Sequence, residues 1–218
     1  MGVEDLLREL SRVVIVDRTL TDVLTDVTAI AARGIPGAES TSITLLRGEK
    51  AFTVAHFGEM ALAADELQYA HGHGPCMDAG RGGVLLRVDD MKTEQRWPDY
   101  VAHVVATTPV RSSLSVPLPY QGSAIGALNI YSTRTAAFAS PESLRAGTDV
   151  AEVIAVAVAN ADAHAQLFEQ AKGVLMAQRR IDAEQAFEIL REASQRYNRK
   201  LRDIAFGIVE SAQDSRPR

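Results

Sequence analysis

The feature that most constrains this chain is a helical stripe that runs unbroken from Pro141 to about Arg180. Leu144, Gly147, Ala151, Ile154, Val158, Ala161, Ala165 and Phe168 step along it at spacings of three and four, the a/d repeat of a coiled coil. Ser140-Pro141-Glu142 supplies the start, a capping serine followed by proline at the first helical position. No proline or capping turn interrupts the pattern until about Arg180, and its small residues permit close contact between helices. So long a stripe predicts a helix that leaves one domain and enters another, and whose apolar face is shared with a second copy of the chain. The competing expectation is one long domain helix packed on a sheet.

The region ahead of this helix mixes periods. Apolar residues at helical spacing from Leu6 to Ala31 predict helix over the first 33 residues, stopped by Gly34, Pro36 and Gly37. Thr41–Leu46 and Ala51–His56 read as two strands of a hairpin, and Val84–Val88 as another strand. Ser113–Leu118 and Ala124–Tyr131 flank the turn residues Tyr120-Gln121-Gly122-Ser123. Pro117 and Pro119 predict an edge or bulged position. The fold class is therefore α+β, a mainly antiparallel sheet flanked by helices, joined by the long helix to an all-α C-terminal bundle. The boundary is expected at about residue 160, giving domains 1–160 and 161–218.

The C-terminal part reads as three helices in all. Asp182-Ala183-Glu184-Gln185 has the form of a capping box. Ala183, Ala186, Phe187, Leu190, Ala193 and Tyr197 mark one face of a helix. Asn198 is expected to cap the next, which carries Leu201, Ile204, Ala205, Ile208 and Val209. Charge separates this part from the rest. The whole chain has a formal charge of −5, but residues 1–165 hold 13 Lys+Arg against 20 Asp+Glu, and residues 166–218 hold 10 against 8. Within Arg191–Arg202 the bases Arg191, Arg196, Arg199, Lys200 and Arg202 face Glu192 alone. Ser194, Gln195, Tyr197 and Asn198 are interleaved with them. That combination neutralises phosphates while amides and an aromatic meet unstacked bases; the alternative is a solvated helix face. Lys172, Arg179 and Arg180 extend the patch, and Lys172 falls on the apolar stripe, where a charge is costly.

Glu169-Gln170-Ala171-Lys172-Gly173-Val174-Leu175-Met176, Ala186-Phe187, Leu190-Arg191, Ser194-Gln195 and Asn198-Arg199-Lys200-Leu201 resemble, in order and spacing, the signature of the ANTAR domain. The resemblance covers Gln166 to Ala212. It implies a three-helix RNA-binding module, usually dimeric, that recognises paired hexanucleotide-loop stem-loops in nascent mRNA and blocks transcription terminators. On that pattern Ala171, Lys172, Gly173, Ser194, Asn198, Arg199 and Lys200 are the RNA-proximal positions, and the basic patch read above adds Arg179, Arg191, Gln195 and Arg202 to the expected RNA-binding residues. Phe187, which could stack on a base, lies on the apolar face and is expected to pack in the core. The N-terminal part resembles a GAF domain over about residues 3–160, through Gly72-His73-Gly74-Pro75-Cys76, Arg96-Trp97-Pro98-Asp99-Tyr100, Ser112–Leu118 and Gly126–Tyr131. GAF domains often sense small molecules between sheet and loops, and the resemblance names no ligand for this one.

Other chemistries find little support. The longest apolar run, Val153–Ala159, is too short to span a membrane, and Met1–Arg12 has no apolar leader core, so a cytoplasmic protein is expected. One cysteine, Cys76, permits no internal disulfide. His71, His73 and Cys76 lie close in sequence, but their spacing is not that of a zinc site, so no metal or cofactor is expected. Neither a nucleophile elbow nor a phosphate loop is present, and the chain is not expected to be an enzyme. The leading expectation is a homodimeric RNA-binding antiterminator. Its rivals are a DNA-binding regulator, a protein-interaction switch, and a redox protein acting through Cys76.

Overall fold

Two tight hairpins set the order of the sheet. In the computed structural model, which describes residues 3–14 and 19–214, β1 (Ser40–Arg47) and β2 (Lys50–Phe57) pair with Arg47 opposite Lys50. β4 (Ser112–Tyr120) and β5 (Ser123–Ser132) pair around Gln121-Gly122. Both turn residues have positive φ, 46° and 82°, matching the twist of the strands they join. β1 lies antiparallel to β5, and β3 (Leu86–Val88) antiparallel to β4, so the order is β2-β1-β5-β4-β3. The β4–β5 register shifts between Pro117 and Pro119. β3 covers only Ser113–Ser115 of β4, so on that side no strand needs the N–H groups that the prolines lack.

The expected first helix is two. α1 (Val3–Val14) is followed by α2 (Leu20–Gly34), whose N-terminus is capped by the Thr19 hydroxyl accepting from the Asp22 N–H at 3.2 Å. Residues 15–18 of the expected helix, and the side chains of Val13 and Val14, lie outside the described residues, as do 1–2 and 215–218. Three helices come from sequence left unassigned above: α3 (Glu59–His71), α4 (Pro75–Gly82) and α5 (Pro98–Thr107).

Strand alternation gives the sheet two unlike faces. Ile43, Leu114, Leu118, Leu128 and Ile130 share one face and are fully buried. Ser42, Thr44, Ser113, Ser115, Asn129 and Tyr131 share the other and are equally buried, with α3 hydrogen-bonded to Thr44, Asn129 and Tyr131 among them. α6 (Pro141–Arg179) packs its first half on the apolar face, where Gly147 admits Leu114, Val116 and Ile130 so closely that a Cβ would meet them at 3.3–3.4 Å. Its start is as expected, with the Ser140 hydroxyl accepting from the Ser143 N–H at 3.1 Å. Ala146, Val150, Ala151 and Ile154 are buried there, so over this half the stripe is a domain helix on its own sheet. Farther on its character changes: Val156 is exposed, Val158 and Ala161 are half-buried and Ala165 is exposed.

The chain forms two compact units, Met1–Ala157 and Val158–Arg218. In the second, the end of α6, α7 (Ala183–Tyr197) and α8 (Leu201–Asp214) meet around Ala171, Leu175, Ala186, Leu190 and Ala205. Three of those five are alanines, which lets the helix axes approach closely, and Leu167, Ile189, Ile204 and Ile208 are among the partly buried residues packed around them. α6 stops at Arg179, with Arg180 in the left-handed region at φ 53°. The capping box of α7 is complete: the Asp182 carboxylate accepts from the Gln185 N–H at 2.8 Å, and the Gln185 side chain accepts from the Asp182 N–H at 3.2 Å.

Candidate nucleic-acid interface

The basic stretch is folded into the α7–α8 junction, and the junction is built by Asn198. Asn198 ends α7 with φ 48° and ψ 43°, a left-handed conformation that asparagine tolerates better than most residues. The expectation that it starts α8 is thus corrected. The N-terminal turn of α8 is closed instead by the Lys200 carbonyl, which accepts from the N–H groups of Asp203 (2.9 Å) and Ile204 (3.3 Å). The Asn198 N–H donates to the Gln195 carbonyl and the Arg199 N–H to the Ser194 carbonyl, at 3.4 and 3.1 Å, the paired bonds of a Schellman stop. The Ser194 hydroxyl then donates to the Arg199 carbonyl at 2.6 Å. Arg199, Lys200 and Arg202 are consequently held exposed on a rigid corner, with Tyr197 64% exposed beside them.

The remaining predicted positions divide. Arg191 is exposed and paired with Glu188 on the same helix at 3.0 Å; Gln195 is exposed on the same helix, one turn farther on. Arg179, at the end of α6, lines the same cleft as Tyr197 and Arg199. Lys172 is 18% exposed, its ammonium 2.8 Å from Glu169 and over the Phe168 ring at 5.6 Å, which is how a cation is accommodated on an apolar stripe. Gly173 is exposed, and a Cβ built on it meets nothing within 4 Å. Ala171 is a correction. It is fully buried in the three-helix core, so it sets helix spacing and offers no surface to RNA. Phe187, expected in the core, is 40% exposed and stands edge-on to Phe168 with ring centroids 5.7 Å apart. Sequence reasoning missed Gln178, Asp203 and Gly207, which share the cleft with Arg179 and Arg199; none of them belongs to a charge run or an apolar stripe.

The first unit has a different kind of site. The Asp65 carboxylate of α3, wholly buried, accepts from the hydroxyls of Tyr131 (2.7 Å) and Thr53 (2.8 Å) and from the Asn129 amide (3.3 Å). Gln68 donates to the Tyr131 hydroxyl at 3.1 Å and accepts from the Cys76 N–H at 2.7 Å. Tyr69 hydrogen-bonds with both Thr44 and Thr53. Burial pushes the Asp65 carboxyl above its usual range despite the donors around it. Cys76 is buried with its thiol donating to Thr44 at 3.2 Å; burial, reinforced by Asp65, pushes that thiol well up and disfavours a reactive thiolate. Ser113 Oγ, Ser115 Oγ, Asn129 Oδ1 and the Tyr100 hydroxyl are buried with no protein partner. Trp97 is buried and donates to Asp78 at 2.7 Å. Among the described residues no group of three or more His, Cys, Asp or Glu could hold a metal ion, and no helix is long and apolar enough to cross a membrane. The polar triplet Asp65, Gln68, Tyr69 has helical i, i+3, i+4 spacing and was the signal available for this network.

Comparison with known proteins places these two units. Residues 17–159 match the GAF domain family and residues 157–209 the ANTAR domain family. No curated protein matches the chain. Among solved structures it is similar to the GAF domain of a phosphoenolpyruvate-protein phosphotransferase from Coxiella burnetii, with 18% identity and a TM-score of 0.59 over 75% of this chain and 96% of that one. It is also similar to free methionine-R-sulfoxide reductase from Neisseria meningitidis in complex with its substrate (19%, 0.56, 71% and 87%). A third is the phycocyanobilin-bound GAF domain of a cyanobacterial phytochrome (18%, 0.55, 73% and 95%). At such identities these likenesses establish the fold of the first unit and nothing about its ligand. The chain belongs to the GAF family and carries at its C-terminus an ANTAR domain, the RNA-binding module of antitermination regulators.

Proposed function

We propose that the protein is a homodimeric antiterminator that binds paired hexanucleotide-loop stem-loops in nascent mRNA through the α7–α8 corner. The observation that carries this reading is the corner itself: Arg199, Lys200 and Arg202 are exposed together on a turn fixed by Ser194 and Asn198. Cations on a preorganised turn bind phosphate without first losing the freedom of a loop. Flanking Tyr197 and Gln195 can meet bases that a stem-loop has already unstacked. The stretch of α6 beyond Ile154 supports the dimer, since Val156 and Ala165 are exposed on a helix whose Ala146, Val150, Ala151 and Ile154 are buried. Two modules held together bind paired loops more tightly than either alone.

The first unit is the input. The orphaned polar atoms of Ser113, Ser115, Asn129 and Tyr100 mark the sheet face where a polar ligand would find donors and acceptors. A reading as a thiol reductase is less well supported, because the one cysteine is buried and its thiol held neutral. The test is a competition titration of the full chain between stem-loop RNA and duplex DNA, with the mass in solution measured at micromolar concentration. Selective RNA binding by a dimer supports the reading. A monomer, or equal binding to DNA, counts against it.

A further inference from the structure

The ANTAR unit carries a feature that a basic patch does not need. A cleft of about 520 Å³ opens between all three of its helices. Its floor is apolar: Leu175 is buried, and Ile189, Ile204 and Ile208 are partly so. Its rim is polar and exposed, with Tyr197, Arg179, Arg199 and Gln178. Asp203, its carboxylate 3.5 Å from Arg202, stands in the wall. Gly207 also lines the cleft, and a Cβ there would meet nothing within 4 Å. The glycine therefore leaves space open that any other residue would occupy, at a cost of ~1 kcal/mol in helix propensity against alanine.

Resting on the RNA-binding reading above, we infer that this cleft is a base pocket: it receives one unstacked nucleobase of the RNA loop, face-on to Tyr197, with the flanking phosphates held by Arg179 and Arg199. The chemistry of the lining selects this occupant. An apolar floor favours a flat, weakly hydrated ring; an exposed tyrosine offers a stacking surface; the Gln178 amide offers a donor and an acceptor, and the Asp203 carboxylate an acceptor, to a base edge. Two arginines at the mouth complement the charge on either side of a base, and they continue the positive corner at Arg199–Arg202. An apolar helix seated in the same cleft would bring no negative charge to match them. Phosphate contacts position the RNA, and the pocket makes binding depend on the loop.

The experiment uses the full chain, a two-stem-loop RNA with hexanucleotide loops, the same RNA with abasic loops, and a loopless duplex RNA. Gly207→Leu fills the cleft while improving helix propensity, and Tyr197→Ala and Tyr197→Phe separate stacking from the hydroxyl. The expected result is that Gly207→Leu and Tyr197→Ala each lose at least tenfold in affinity for the looped RNA. They should keep wild-type, salt-sensitive binding to duplex RNA, while Tyr197→Phe stays within twofold of wild type. Abasic loops should erase the difference between wild type and Gly207→Leu. Wild-type affinity of a folded Gly207→Leu for the looped RNA overturns the pocket while leaving RNA binding by the corner intact. A change in oligomeric state in Gly207→Leu overturns it in favour of a second copy as occupant. Failure of the wild type to bind any RNA removes both the pocket and the reading beneath it.

Discussion

Ser194 and Arg199 clasp each other across the end of α7: the Arg199 N–H donates to the Ser194 carbonyl at 3.1 Å, and the Ser194 hydroxyl donates back to the Arg199 carbonyl at 2.6 Å. Neither bond uses the arginine side chain, so the backbone is locked while the guanidinium is left for a partner. On the proposed reading, Ser194 acts on RNA through the geometry of its neighbour. Ser194→Ala is expected to cost the ANTAR unit about 1 kcal/mol and to weaken RNA binding several-fold without changing its salt dependence. Asn198→Gly should be nearly neutral, whereas Asn198→Ala should cost about 1–2 kcal/mol because alanine resists the left-handed conformation. Thermal melts paired with salt titrations of binding check both.

Removal of the charges themselves should read differently. Arg199→Ala and Lys200→Ala are each expected to weaken RNA binding and to flatten the slope of log affinity against log salt by about 0.7–0.9 for each phosphate no longer neutralised. Stability should change little. An unchanged slope in both variants would remove these residues from the interface.

Gly173 lies within α6, is exposed, and borders no atom that a Cβ would strike. The fold of the chain alone would be better served by alanine, by ~1 kcal/mol. Gly173→Ala is therefore expected to raise the melting temperature of the ANTAR unit and to weaken RNA binding, as the added methyl holds the ligand away from the helix. Higher stability with unaltered RNA affinity would show that this glycine has no such role.

Asp65 makes the stability of the GAF unit depend on pH. Its folded carboxyl titrates above the ordinary value of 3.8 because burial penalises the charge. A raised acid binds its proton more tightly folded than unfolded. Its contribution is thus favourable at low pH and is lost as pH rises from about 3.8 through the folded value. Glu39, held down by Thr133, Ser132 and Arg134 against its own desolvation, and Glu94, held down chiefly by Arg96, act in the opposite sense, so the difference between wild type and Asp65→Asn isolates the effect of Asp65. That difference is expected to shift in favour of the variant as pH rises from about 4 to about 7. A difference independent of pH would mean that Asp65 is ionised at no cost.

What could be read from the sequence followed from chemistry local to a few residues. The capping box at Asp182–Gln185, the start of α6 at Ser140 and the bulge at Pro117–Pro119 need only their own side chains to act, and all three are present. The structure departs from expectation where a residue answers to a distant neighbour. Asn198 looked like a helix start, yet its backbone goes left-handed to close the helix before it. Ala171 belongs to the signature but serves as a spacer between three helices. α4 is rich in glycine, with Gly80 and Gly82 inside it and Gly74 at its cap, and shows no helical pattern; its packing against the sheet holds it as helix. The polar face of the sheet is invisible to patterning, because serines and threonines at alternate positions look solvent-facing and here are buried under α3 and α4.

The most direct test of the central claim is a titration of the full chain against an RNA with two hexanucleotide-loop stem-loops, beside a single stem-loop and duplex DNA at the same salt. The account predicts binding to the paired loops at least tenfold tighter than to the single loop, and weak, salt-erased binding to DNA. Equal affinity for all three, by the full chain and by variants with the corner intact, would contradict it.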